Sequence, residues 1–325
     1  MLIKMAQDPQ FRRLIKFGNS SYIVSLPKEW IDKTKLKKGD LVYIAENSNS
    51  ELILSTKKRL QSDKTLSIDI EGKNYNEIKR IFSSAYIHNY SEITLRGKNT
   101  RPISEIAHKL MQEKTGLEII EESNSQILIK DIFDFDTVSL EKIIRRFDNI
   151  IRSILEDLRE GLKAEKFKEW TFKEIYKADI EVNKAYFLII KIIRKCQEDV
   201  SLMNLLKINS KDLLDVPSFA TEAEHMGDEI KRIAKILTLV QSDSTERKAF
   251  SKLLQTLEKD YIDTMTAYYT GNKNIAQEIW NKKEKYIHQC EAFSEKSQNP
   301  RIWSIIEKFK GIVSNINNIS KIISF

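Results

Sequence analysis

The sequence predicts a multidomain protein: a small β-rich module, then a small α/β segment, then an all-α half. Three observations predict it. Residues 11–46 hold short β-rich runs punctuated by the turn pairs Gly18-Asn19 and Gly39-Asp40. From 59 to 136, runs of strand and helix period alternate. After Ser139 strand signals stop, and apolar residues recur only at helical spacing. The boundaries read from these changes are 8–58, 59–136 and 137–325, and a chain of 325 residues fits two or three domains.

Composition narrows the class. Hydrophobic residues make up 41% and charged residues 31%, with only nine Gly and five Pro, which describes a folded, helix-rich chain. No run of eighteen apolar residues occurs, so no membrane insertion is expected. The start, MLIKMAQDPQ, lacks the apolar core of a signal peptide, and a cytoplasmic protein is expected. The two cysteines, Cys196 and Cys290, are then expected to be reduced and half-buried.

In the first module a strand is expected over Phe11–Phe17, a turn at Gly18-Asn19 and a second strand over Tyr22–Leu26. Pro27 is suited to a first helical position, with Glu29 and Asp32 near the positive end of the helix. A Lys37-Lys38-Gly39-Asp40 turn leads to a third strand, Leu41–Glu46. Through Lys58 there are eleven Lys/Arg against six Asp/Glu, so this small module carries +5 of the chain's +7. Such concentrated positive charge suits a nucleic-acid partner. So few residues bury too little surface to be stable alone.

The pattern G-N-S-S, Y-I-V-S-L-P-K-E-W, short helix, L-K-K-G-D, strand resembles the AbrB/SpoVT/MazE family of DNA-binding modules. The resemblance implies a swapped-hairpin β-barrel in which two copies interleave strands, hence a homodimer on double-stranded DNA. It implies that Arg12, Arg13 and Lys16, on or beside the first strand, reach phosphates or a guanine edge. Ser20 and Ser21, with the turn's N–H groups, would anchor phosphate. Neighbours on a strand point to opposite faces, so only one of Arg12 and Arg13 would face DNA.

The middle segment reads βαβαββ. Strands are expected over Leu66–Ile70, Glu92–Arg96, Leu117–Glu121 and Gln126–Lys130, with helices over Tyr75–Asn89 and Ile103–Lys114. Gly116 is read as the cap ending the second helix. Gly97-Lys98-Asn99-Thr100 lacks the spacing of a nucleotide cradle. His88 and His108 stand alone, as surface or cap histidines do.

Six helical runs follow. Leu140–Leu162, Trp170–Lys195 and a run from Lys211 through Pro217 to Leu239 are echoed by Ala249–Tyr269, Asn274–Phe293 and Arg301–Ile323, with a capping cluster Gln241–Ser244 between the sets. Two three-helix repeats in one elongated bundle are expected. Residues 216–237, VPSFATEAEHMGDEIKRIAKIL, resemble the signature helix of PhoU, a phosphate-signalling regulator family, and the stretch Asp179 to Phe187 resembles its motif on the preceding helix. A barrel module joined through an α/β segment to such a bundle looks like archaeal PhoU-type regulators.

That family holds clustered iron or zinc on pairs of acids four residues apart. Here Glu224 and Asp228 form one pair, and Asp179 is followed at the same spacing by Asn183. The corresponding later positions are Glu284/His288 and Lys310/Ser314, the last without carboxylates. A single divalent metal or iron at Glu224, Asp228 and Asp179 is one expectation. The other is a solvated or interface acid pair balanced by Lys231 and Arg232.

No Ser/His/Asp arrangement or Cys-x-x-Cys is visible, and the four histidines are scattered, so an enzyme is not expected. The expected function is a dimeric transcriptional regulator of the phosphate-uptake type, whose helical bundle controls the DNA-binding module. The alternative is an adaptor that docks on a phosphate transporter or signalling kinase and uses the barrel only to dimerise. An antitoxin-like role is a third reading, against which the length of chain after the barrel argues.

Overall fold

The computed structural model describes residues 11–46, 52–56, 64–98, 100–240, 244–295 and 299–324. The boundaries expected at 8 and 58–59, and residues 241–243 of the expected capping cluster, lie outside the described residues. The chain divides into two units, Met1–Leu60 and Gln61–Phe325.

In the first unit β1 (Ile15–Phe17) and β2 (Ser21–Ile23) form an antiparallel hairpin, with Ile15 opposite Ile23 and Phe17 opposite Ser21. Gly18 takes φ +68° to make its turn. Both strands are shorter than the sequence suggests. α1 (Lys28–Thr34) has Pro27 at its N-cap with ψ 131°, one place before the expected first turn, and it ends on Lys35 in the left-handed region. The Asp40 carboxylate accepts the Lys37 N–H at 2.7 Å and closes the next turn. β3 (Tyr43–Glu46) and β4 (Leu52–Ser55) make a second antiparallel hairpin. The expected closed barrel is not found: the described strands form two separate two-stranded sheets.

The second unit opens with the four-stranded sheet β5 (Thr65–Asp69), β6 (Glu92–Arg96), β7 (Leu117–Glu122) and β8 (Gln126–Asp131). Its order is β5-β6-β8-β7, with β5 parallel to β6 and the other pairs antiparallel. α2 (Tyr75–Ile87) starts with a capping box in which Asn74 and Glu77 exchange bonds. α3 spans Thr100–Met111, because Pro102 is tolerated in a first turn. Both helices pack on Ile68, Ile93, Leu95, Ile127 and Ile129, each at most 3% exposed. Gly116 is not the helix cap. It has φ +77°, and a Cβ there would lie 2.6 Å from that of Phe133.

α4 (Leu140–Lys163) and α5 (Glu169–Glu198) begin the helical part. The sequence shows no sign of α6 (Val200–Leu205), a short helix capped by Asp199. α7 (Asp212–Thr238), α8 (Ser244–Thr270), α9 (Lys273–Trp280), α10 (Lys283–Ser294) and α11 (Pro300–Ser324) follow. Where one helix was expected over Asn274–Phe293 there are two. Lys282 N–H bonds to the carbonyl three residues back, and the Asn317 amide donates to the Trp280 carbonyl at 2.8 Å, so the ladder breaks there. The α4 stripe Ile144, Phe147, Ile151, Ile154, Leu155 and Leu158 is buried, as is Ile230, Ile233, Ala234 and Leu237 on α7. Cys196 and Cys290 are buried thiols with no disulfide between them.

Candidate nucleic-acid interface and acidic centre

Arg12, Arg13, Lys16, Ser20 and Ser21 fall on or beside the first hairpin, and all five are exposed. Arg12 and Arg13 precede β1, so the strand alternation expected of them does not apply; the Arg12 guanidinium donates to the Phe11 carbonyl at 3.2 Å. Lys16 lies opposite Tyr22 on one face of the hairpin, while Ile15, Phe17, Ser21 and Ile23 share the other. The site offers guanidinium, ammonium, hydroxyl and turn N–H donors, a set that binds anions.

Apolar exposure is the second feature of this unit. Phe11 is 89% exposed, Leu41 75% and Phe17 65%, and Leu14, Ile15, Tyr22, Ile23, Val24, Ile44 and Leu52 are also open. No residue of α1 is buried. Side chains of this kind form the core of a folded domain, and here they lack cover.

The acids expected to bind metal meet in the second unit, between α5 and α7. Lys231 donates at 2.7 Å to Asp179 and at 2.7 Å to Asp228, and Arg232 donates to the other Asp228 oxygen at 2.9 Å. Asn183 turns its amide to the Asp179 carbonyl at 3.0 Å. Burial raises the Asp179 carboxyl above its ordinary value against the pull of Lys231. Burial and then the charge of Asp228 raise Glu224. Burial alone would lower Lys231, but its bonds to Asp179 and Asp228 raise it. The donor set does not fit a metal, because an ammonium already bridges the two aspartates. Among the described residues no group of three or more His, Cys, Asp or Glu is placed to hold one. His288 is exposed beside Glu291, and Lys310 pairs with Glu307.

A second polar cluster joins the α/β layer to α5. Lys191 is fully buried, 2.5 Å from Asp131 and 4.3 Å from the centre of the Tyr86 ring. Lys114 is 1% exposed, with its ammonium 3.3 Å from the centre of the Phe187 ring. Arg194 donates to His88 Nε2 at 2.7 Å while His88 Nδ1 faces the Ser84 carbonyl, and Lys64 pairs with Glu198 at 3.1 Å. Of these residues the sequence singles out only His88, as a lone surface or cap histidine, whereas in the structure it accepts from Arg194. No signal in the sequence marks Lys191 as buried, because its neighbours on the helical stripe, Lys184, Arg194 and Glu198, are charged as well.

No curated protein matches the chain. Residues 15–62 match the family model described as antidote-toxin recognition MazE, bacterial antitoxin, a span that takes in both hairpins and α1. The N-terminal stretch is therefore similar to a MazE/AbrB-type module, and the match ends at residue 62, before the first strand of the α/β and helical unit.

Proposed function

We propose that the protein is a homodimeric regulator that grips duplex DNA through its N-terminal module, with the helical bundle as its sensory or adaptor part. One observation carries the proposal: the first 58 residues, which carry a charge of +5 and include most of the MazE-like stretch, leave their large apolar side chains uncovered in a single chain. A second copy laid against the Ile15, Phe17 and Ile23 face would bury them, at about 25 cal/mol for each Å² removed from water. Lys16 and Tyr22 would then face outward, with Arg12 and Arg13 alongside to meet phosphates.

Control of phosphate uptake is the finer form of the proposal. It rests on the likeness of residues 216–237 to the PhoU signature helix, on which Lys231 pairs with both Asp179 and Asp228. The experiment is duplex-DNA affinity of the full chain across a salt series. Binding should weaken steeply with salt, and Arg12→Ala/Arg13→Ala should lower the slope by roughly 2 to 4 by removing phosphate contacts from both copies. A folded dimer that does not bind DNA at low salt would refute the proposal. The bundle would then be the working part, as an adaptor on a transporter or kinase.

A further inference from the structure

Among the described residues the sheet order leaves β5 and β7 as outer strands, and the two edges are built differently. β7 carries Glu118, Glu121 and Glu122, and its pairing with β8 slips between Ile119 and Glu121. Charges and a bulge are common guards of an exposed edge. β5, Thr-Leu-Ser-Ile-Asp, has no bulge and pairs with β6 in unbroken register from Thr65 to Asp69, and its one charge, Asp69, stands at its end.

The orientation of its backbone follows from two bonds. The Lys64 carbonyl accepts from Ser91, and the Ile70 N–H donates to Arg96. Lys64, Leu66, Ile68 and Ile70 thus address β6. By the two-residue period, the N–H and C=O of Thr65, Ser67 and Asp69 point to the open edge. Lys73 donates to the Asp69 carbonyl at 2.8 Å, which leaves that oxygen a second lone pair. Alongside runs a groove of about 560 Å³ between β5 and α2, half of its lining apolar (Leu66, Ile81, Ala85 and Tyr90) and half polar, with Lys64 and Arg80 among it.

We propose that β5 pairs antiparallel with β5 of a second copy about Ser67, joining two four-stranded sheets into one of eight strands. The inference rests on the dimer reading above. In this register Ser67 faces the partner's Ser67, and Thr65 faces the partner's Asp69. Each N–H and C=O on the open edge then finds a partner. Leu66 falls beside the partner's Ile68 on the helix-facing side, over the groove, while Thr65 and Asp69 stay on the polar side.

Chain length favours a second copy over a foreign strand. Lys64 lies eight residues after Thr56, a tether of at most about 28 Å. Two copies joined at their N-terminal modules would hold their β5 strands at an effective concentration on the order of millimolar.

The test is Ser67→Cys in the full chain under mild oxidation. Opposed residues of a hydrogen-bonded pair have Cα atoms about 5.5 Å apart, within disulfide reach. Native Cys196 and Cys290 are buried, so the unmodified chain serves as the blank. Covalent dimer should exceed that of Asp69→Cys by about tenfold, since Asp69 faces the partner's Thr65 and not itself. Ser67→Pro keeps the β5–β6 bonds, because the N–H it removes faces the open edge. It should abolish the hydrogen-exchange protection of Thr65 and Asp69.

Light scattering reads the dimer independently. If a dimer shows no excess crosslink at position 67, edge pairing is overturned and the dimer stands. A monomer without the crosslink overturns both. A monomer whose crosslink at position 67 grows with concentration supports the pairing and removes the tether.

Discussion

Lys114→Met should stabilise the protein, and by an amount that depends on pH. The Lys114 ammonium has almost no contact with water, and its nearest carboxylate, Glu113, is 3.8 Å away. Burial, chiefly, pushes its pKa from 10.5 down to about 7; Glu113 opposes the fall and Lys79 adds to it. At 1.36 kcal/mol for each pH unit, the charged form costs on the order of 5 kcal/mol. The Phe187 ring face returns about 1–2 kcal/mol of this, which leaves roughly 3 kcal/mol. The unfolded chain binds the proton more tightly than the folded chain, so stability rises with pH between about 7 and 10.5, and below 7 the full cost is present. Methionine fills the same space without the charge. In urea unfolding followed by circular dichroism, the variant should exceed the parent by about 2–4 kcal/mol at pH 6, and the gap should narrow by pH 9. A variant less stable than the parent at pH 6, or a gap that ignores pH, would refute the reasoning.

Asp131→Asn strands the buried Lys191 ammonium and should cost about 3–5 kcal/mol in urea unfolding, while Asp131→Asn/Lys191→Met should recover most of the loss. Lys231→Ala leaves Asp179 and Asp228 facing each other and should destabilise by about 2 kcal/mol at pH 7. Relative to the parent, that variant should regain stability as pH falls, because the raised Asp179 carboxyl takes up a proton in the folded state first. Gly116→Ala should lower the melting temperature far more than Gly72→Ala. Both positions have φ near +70°, but a Cβ at Gly116 strikes Phe133, whereas none of the surrounding atoms comes within 4 Å at Gly72.

Much of this architecture was legible because periodicity survives context. The α4 stripe and the β6 bounds emerged as read, since in each the buried apolar residues keep to one face and leave a plain 3.6- or 2-residue pattern. α5 blurred the pattern: α4, α7 and the α/β layer all pack on it, and buried residues occur on several sides. The break at Lys282 was invisible because its cause, Asn317, comes from another helix. In the acidic centre the sequence put Asp179, Glu224 and Asp228 on the right helices and named Lys231 as a counter-charge. It could not tell whether a metal or an ammonium would bridge them, which depends on where α7 places one side chain. Arg12 and Arg13 were placed on a strand that starts two residues after Arg13, since pairing with β2 holds only from Ile15 onward.

The second unit owes its register to α5. Asp179 ties it to α7 through Lys231, and twelve residues on, about 18 Å along the axis, Lys191 ties it to the α/β layer through Asp131. Phe187, Lys191, Arg194 and Glu198 follow one another at steps of four, three and four, one helical stripe that meets Lys114, Asp131, His88 and Lys64 in turn. Buried ion pairs add little net stability over apolar neighbours of the same shape. A shift of α5 by one residue would unpair Lys191 and Asp179 together and leave charges buried at both ends. An apolar stripe alone would tolerate such a slip at far lower cost. The helix is therefore held in one register, and the bundle and the α/β layer answer to the same element.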